Sequence, residues 1–218
     1  MLSDSPTVWL LAIVSQFLSG SVMYAPLLAK IAKVDLGKIR DGNPGSSNLW
    51  RAAGWRYGVV ALALDYFKGT FPLFLFVVTG LLKNPYIISV AALVGIAGHA
   101  FSPFLKFRGG KAVATTFGAW SVLTKWEAPT LIGAIFTVFS VYNKFIGKSK
   151  TTPEEDALRV LYGFLALFLY VVFKLWEGRY ELLILYIGNF AIILYKHRKE
   201  YLSLCRKICR GILRRNEV

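Results

Sequence analysis

Along the chain, long apolar runs alternate with short polar clusters. The runs occupy about residues 8–31, 57–82, 86–105, 128–146, 158–176 and 180–195, with Gly, Pro and charged residues between them. About 20 apolar residues in a helix cover the hydrocarbon of a bilayer, so each run predicts a membrane-crossing helix. The stretch 112–125, AVATTFGAWSVLTK, is shorter and richer in hydroxyls. It predicts either a short seventh span or a broken, re-entrant helix. The fold expected is all-α: a polytopic integral membrane helical bundle of about seven transmembrane helices.

Charge decides between six crossings and seven. With seven, 21 of the 26 Lys and Arg fall on one side, including Lys30, Arg51, Lys111, Lys148 and the eight basic residues from Lys196 onward. The other side receives Lys83, Lys125, Lys174 and Arg179. Six crossings would scatter these charges over both faces. The positive-inside rule then puts the N-terminus outside and the C-terminus in the cytoplasm. The opening MLSDSPTVWLL has Asp4 and no basic residue before its apolar run, which predicts a retained first span rather than a cleaved signal peptide. Residues 1–200 are expected to form one transmembrane domain, and 201–218 a basic amphipathic tail. In that tail Leu202, Leu204, Ile208 and Ile212 interleave with Arg206, Lys207, Arg210 and Arg214, as suits a helix lying on an anionic membrane surface.

Composition narrows the class further. With 56% hydrophobic and 17% charged residues, the chain lies outside the range of ordinary soluble domains and of disordered segments. Two cysteines, Cys205 and Cys209, exclude a disulfide scaffold and are expected to be reduced thiols. A net charge of +14 in so apolar a chain suggests anionic lipid or anionic substrates rather than nucleic acid.

Two loops on the basic side have the chemistry to hold phosphate. The first is Asp41-Gly-Asn-Pro-Gly-Ser-Ser-Asn48 followed by Arg51. Its glycines expose backbone N–H groups, and Ser46, Ser47, Asn48 and Arg51 add donors, together an anion-binding nest with a bidentate arm. A solvated turn is the competing reading, since Asp-Gly, Asn-Pro and Gly-Ser are common turn dipeptides. The second is Phe107-Arg-Gly-Gly-Lys-Ala-Val-Ala-Thr-Thr116. There Gly109 and Gly110 precede Lys111 at a helix start, with Thr115 and Thr116 behind, so amides, helix dipole and ammonium converge. The spacing is not that of a Walker A loop. Three polar residues also lie in apolar runs: Asp65 and Lys68, three apart on one helix face, and His99 after Gly98. Mutual pairing and a structural hydrogen bond are the competing readings for these.

The segments SGSVMYAPLLAK, DGNPGSSNLWRAAGWRYGVVALALDYFKG and GHAFSPFLKFRGGKAVATTFG resemble the bacterial acyl-phosphate:glycerol-3-phosphate acyltransferases, the PlsY family. The resemblance is dense over about residues 19–120. It implies transfer of a fatty acyl group from acyl phosphate to the 1-hydroxyl of glycerol 3-phosphate, giving lysophosphatidic acid and phosphate. It also implies membrane lipids around the chain, no metal, no cofactor and no acyl-CoA. The family pattern G-S-G-N-x-G-A-T-N-x-x-R is met by Gly42, Asn43, Gly45, Ser47, Asn48 and Arg51, with Asp41 in place of a serine. Asp65, Lys68, His99 and the Gly109-Gly110-Lys111 loop also match. In the C-terminal pattern H-R-x-N-I-x-R-L, His197 and Arg198 match, whereas Glu200 takes the asparagine position; Ser149 stands without clear register for the serine of the preceding family stretch. The catalytic residues implied are Asn48, Arg51, Lys111 and His197. Gly42, Asn43, Gly45, Ser46, Ser47, Gly109, Gly110, Lys68 and His99 are implied around substrate and phosphate.

An acyl phosphate is already activated, so no protein nucleophile is required. No Ser-His-Asp spacing, G-x-S-x-G or zinc-ligand cluster is present in the sequence. Direct attack by the acceptor hydroxyl is expected, with a substrate phosphate or His197 as base. The chain is expected to act as a monomer in the bacterial inner membrane, with its active site on the cytoplasmic face. Two other readings compete: a diverged paralogue with another acceptor or no activity, because Asp41 and Glu200 would repel phosphate, and a transporter for an anionic metabolite.

The topology has a direct check. Single cysteines at positions 46 and 109, in a chain whose Cys205 and Cys209 are replaced, should resist an impermeant thiol reagent applied to intact cells; labelling from outside would overturn the orientation.

Overall fold

The computed structural model describes residues 3–148 and 150–215, and side chains as far as residue 209. Among the described residues the regular structure is helical throughout. The helices are α1 (Pro6–Ser21), α2 (Tyr24–Ile31), α3 (Ser46–Ala53), α4 (Trp55–Val78), α5 (Pro85–Ala100), α6 (Val113–Thr124), α7 (Glu127–Phe145), α8 (Pro153–Trp176), α9 (Glu181–Lys196) and α10 (Arg198–Arg215). Short 3₁₀ turns at Leu36–Lys38 and Pro103–Leu105 join them. The six apolar runs all appear as helices with ends close to those expected.

Local chemistry accounts for several of these ends. Ser5 caps α1 by accepting from Val8 N, Asn84 caps α5 through Tyr86 and Ile87, and a proline follows each cap as the first helical residue. α8 opens on a reciprocal capping box between Thr152 and Glu155, with Glu154, Glu155 and Asp156 in the first turn where the helix dipole favours anions.

Four helical segments, Pro6–Ile31, Trp55–Val78, Pro85–Leu105 and Pro153–Trp176, are long and apolar enough to cross a membrane. The stretch between the Gly-Gly-Lys loop and Lys125 forms one unbroken helix, α6, of 12 residues. At 1.5 Å per residue it is about 18 Å long, well short of a bilayer's hydrocarbon thickness. The break falls instead in the first apolar run, between α1 and α2 at Val22 and Met23. Many large apolar side chains, among them Leu10, Leu18, Phe67, Phe71, Leu169 and Trp176, point outward and stay exposed, an outer surface suited to lipid rather than water.

The bundle centre is built on α5, flanked by α1, α6 and α9. α1 and α5 approach very closely: a Cβ added at Gly20 would lie 2.1 Å from the Gly95 carbonyl oxygen. Such contact needs small residues on both sides. Trp120, fully buried, donates its indole N–H to Asn189 Oδ1 at 3.1 Å, and Asn189 in turn donates to Thr116 Oγ1 at 3.0 Å.

α4 carries Pro72 in its interior. A proline has no N–H for the carbonyl four residues back, here that of Lys68, and its ring crowds that turn. Gln16 of α1, fully buried, repairs the gap. Its Nε2 donates to the Lys68 and Gly69 carbonyls at 3.2 and 3.0 Å, and its Oε1 accepts from Leu73 N at 3.1 Å. Ser19 Oγ donates to the Lys68 carbonyl as well, at 3.1 Å. One amide side chain thus satisfies both sides of a helix defect that no water can reach.

Each buried polar group stripped of its partner costs about 1–3 kcal/mol. Gln16→Leu should therefore lower stability by about 2 kcal/mol or more, seen as a drop in the thermal unfolding midpoint in detergent. A variant as stable as the parent would show that the repair is dispensable.

Candidate active site

A cavity of about 550 Å³ gathers residues far apart in sequence. Into it open the turn from Asp41 to Ser47, the start of α6, the start of α8 and the junction of α9 with α10 at His197. Its other lining residues include Leu62 and Tyr66 of α4, Phe117 of α6 and Phe136 of α7.

The turn at 41–45 is held from inside by Asn48. Its Nδ2 donates to the Ile39 carbonyl at 3.0 Å, to Asp41 Oδ1 at 2.7 Å and to the Asn43 carbonyl at 3.1 Å. Gly42 takes φ +68°, a backbone conformation that glycine adopts without strain. With the turn fixed, Gly45, Ser46 and Ser47 line the cavity where α3 begins. The first N–H groups of a helix lack intrahelical acceptors, so this end presents donors to an anion. The Asn48 amide nitrogen is spent on the turn itself, which makes Asn48 a residue that shapes the loop.

The second loop enters α6 differently from the expectation. Helical geometry starts at Val113, two residues after Lys111, and Ala112, Val113 and Ala114 form that part of the cavity wall. The Gly110 N–H is committed to the His99 carbonyl at 3.1 Å. A Cβ at Gly110 would lie 2.2 Å from His99 Nε2, and one at Gly109 1.9 Å from the His99 carbonyl oxygen. The two glycines therefore let the loop press against the end of α5, and the Gly110 amide is not a free phosphate donor. Lys196 clamps the same place, donating to the Ala100 and Gly109 carbonyls at 2.9 and 2.7 Å. The hydroxyls of Thr115 and Thr116 are likewise occupied, by the Asp65 carbonyl and by Asn189.

Lys111 lines the cavity, and its ammonium meets two carboxylates, Asp41 Oδ2 at 2.7 Å and Glu200 Oε1 at 2.6 Å. The two positions that depart from the family pattern thus converge on one lysine. Burial would raise the Asp41 carboxyl, but the hydrogen bonds from Lys111 and Asn48 outweigh it and hold it down at about 2. Asp41 is therefore ionised at any working pH.

Arg51 does not line the cavity. Its guanidinium donates to the Ser47 carbonyl at 3.1 Å and approaches Asp156 Oδ2 at 3.5 Å. Asp156 also meets Arg40 at 2.6 Å and Arg159 at 3.3 Å, so one carboxylate on α8 gathers three arginines at the rim. Arg40, Asp156 and Arg159 are cavity residues that sequence reasoning did not single out. The signal available was slight: an acidic residue and an arginine three apart in the opening turns of a span. Deeper in, Asp65 and His99 reach the cavity, and Lys68 lies behind them. Asp65 Oδ1 is 2.8 Å from Lys68 Nζ and 3.7 Å from His99 Nδ1. Lys68 also donates to the Val22 carbonyl at 2.5 Å, at the break between α1 and α2. Ser149 lies outside the described residues.

His197 is 2% exposed, and neither ring nitrogen has a hydrogen-bond partner among the described residues. Burial, then the nearby Lys111 charge, push its pKa down to about 4, so the ring is neutral and able to accept a proton.

A family model described as glycerol-3-phosphate acyltransferase matches residues 10–207. The chain belongs to this family. The glycerol-3-phosphate acyltransferase 1 of Thermotoga maritima is 65% identical over 186 residues, 85% of this chain and 92% of that protein. The glycerol-3-phosphate acyltransferase of Aquifex aeolicus is 28% identical over 193 residues, covering 88% and 92%. Crystal structures of PlsY (YgiH), an integral membrane glycerol 3-phosphate acyltransferase, superpose with TM-scores of 0.74 for the glycerol 3-phosphate form and 0.71 for the lysophosphatidic acid form. In both, identity is 25% and coverage 91% of this chain and 92% of that one. As in any member of this acyltransferase family, the cavity has to be judged by its fit to a phosphate and an acyl chain. Cationic and apolar side chains in one lining meet both needs.

The depressed pKa of His197 sets a sign for stability. As pH falls, the unfolded chain takes up this proton near 6.5 and the folded chain only near 4. Its contribution is complete above pH 6.5 and is lost as pH falls from 6.5 towards 4. His197→Gln should flatten the fall of unfolding midpoint with pH in that window; an unchanged slope would mean that His197 is not buried neutral.

Proposed function

We propose that this protein moves a fatty acyl group from acyl phosphate to the 1-hydroxyl of glycerol 3-phosphate, producing lysophosphatidic acid and inorganic phosphate. The observation that carries the reading is a single cavity lined both by Lys111, Arg40 and Arg159 and by Leu62, Phe117 and Phe136, with the Arg159 guanidinium 4.9 Å from the centre of the Phe136 ring. Such a cavity suits a phosphorylated head and a hydrocarbon tail at once. The chain works in the bacterial inner membrane, crossing it seven times with the N-terminus outside, and its site faces the cytoplasm. Its basic tail, carried on α10, lies on the membrane surface.

The chemistry asks little of a protein nucleophile. The acceptor hydroxyl oxygen bonds to the acyl carbonyl carbon, the bond from that carbon to the phosphate oxygen breaks, and phosphate leaves with both electrons. The hydroxyl proton passes to a base, for which neutral His197 and a substrate phosphate are the candidates. The helix starts at Ser46 and Val113, together with Lys111, offset the charge on the phosphates. Asn48 and Arg51 act through the loop: one braces the turn, the other ties Ser47 to Asp156. His99, Lys68 and Asp65 hold the floor against the α1–α2 break.

Purified protein given acyl phosphate and labelled glycerol 3-phosphate should form labelled lysophosphatidic acid; none formed at any substrate level would reject the reading. Lys111→Ala should cut kcat/KM about ten- to a hundred-fold, the worth of a charge-assisted contact of about 1.5–3 kcal/mol. Full activity at normal expression would remove Lys111 from the site.

A further inference from the structure

In and beside the cavity wall the cations are not equally available. Arg40, Arg51 and Arg159 share a single carboxylate, Asp156. Lys111 alone faces two, at 2.7 and 2.6 Å, so that local group carries a net negative charge. These two carboxylates come from opposite ends of the chain and are held independently. Asp41 is pinned at Oδ1, the oxygen not used by Lys111, where both Asn48 Nδ2 and Asn43 N donate. Glu200 sits in the first turn of α10, which is tied to the start of α8: Ser203 and Lys207 both donate to Glu154, and the Tyr201 hydroxyl donates to the Ala157 carbonyl. The other oxygen of Glu200, Oε2, is buried without a hydrogen-bond partner among the described residues. That unspent acceptor costs free energy, which a purely structural ion pair on Lys111 would not require.

We propose that Asp41 and Glu200 are specificity-determining residues that compete with substrate phosphate for the Lys111 ammonium and so set how weakly this site holds a phosphate. The inference rests on the acyltransferase reading and deepens it. An ammonium offers three donors, and a phosphate reaching it must share them with two fixed carboxylates or turn one away. A fixed negative charge a few ångströms from a dianion opposes its binding, most of all in a partly buried site where screening is poor. The product phosphate feels this as strongly as a substrate does. A site tuned in this way releases inorganic phosphate readily at the cost of a higher substrate requirement.

The arrangement predicts a signature that simple packing would not produce. Removing one carboxylate leaves Lys111 a partner, whereas removing both frees it, so the two changes should be strongly non-additive. Asp41→Asn and Glu200→Gln keep shape while removing charge. Each alone should lower the inhibition constant of inorganic phosphate by about two-fold, and the pair together by about ten-fold. The same variants assayed with glycerol 3-phosphate and with acyl phosphate tell which phosphate uses Lys111, because only that KM should fall in parallel. Direct titration of the detergent-solubilised protein with inorganic phosphate gives the same answer without turnover. A parent protein that makes no lysophosphatidic acid would sink the functional reading while leaving this titration decisive. If the double variant binds phosphate no more tightly than the parent, or more weakly, the competition does not exist. Strictly additive single effects would equally overturn the shared-lysine account.

Discussion

Lys68 joins three parts of the bundle, and much of the architecture depends on how it is satisfied. Its backbone carbonyl is the one Pro72 leaves without a donor, and Gln16 and Ser19 of α1 supply that donor. Its ammonium crosses to the Val22 carbonyl, freed where α1 stops and α2 begins, while Asp65 balances the charge. Inside an apolar bundle neither the carbonyl nor the ammonium can turn to water, so each defect has to be answered by the other helix. The break in the first apolar run and the proline in α4 are therefore one device. Through Asp65 and His99 it reaches the cavity floor, and through the His99 carbonyl it reaches the loop that carries Lys111.

How far the sequence could be read follows from the range of the interactions involved. The helices were legible because an apolar run is local; the capping signals Ser5-Pro6, Asn84-Pro85 and Thr152-Pro153-Glu154-Glu155 were not part of that reading, and α8 starts at Pro153, ahead of the run expected from about 158. The first glycine-rich loop does line the cavity with Asn43, Gly45, Ser46 and Ser47, whereas Gly109 and Gly110 of the second do not. Partners were not legible. Lys111 meets Asp41 at a separation of 70 residues and Glu200 at 89, and Arg40 meets Asp156 at 116, distances over which no periodicity operates. For the same reason Asp41 and Glu200 read as two separate repulsive departures, when in space they are a matched pair on one cation. The glycines at 109 and 110 were read for their amides; their use as the only residues small enough to pass His99 needed the position of α5.

Division of labour within the cavity follows from which element supplies each group. Helix starts contribute backbone donors that cannot titrate or move far, and the three arginines on Asp156 form a rim whose charge is already partly answered. Lys111 is different, since its partners are side chains on a turn and on α10. The phosphate end of the site is thus rigid where the backbone forms it and adjustable where Lys111 does. The apolar lining residues Leu62, Phe117 and Phe136 come from three separate helices.

α10 begins immediately after His197, and its first turn brings Glu200 to the Lys111 ammonium while Ser203 and Lys207 fasten the next turns to Glu154. Its exposed Leu202 and Ile208 face away from the bundle. The helix is thus held at one end beside the reaction chamber and offers apolar side chains at Leu202 and Ile208 to its surroundings. The Glu200 carboxylate in its first turn is what joins this helix to the Lys111 ammonium.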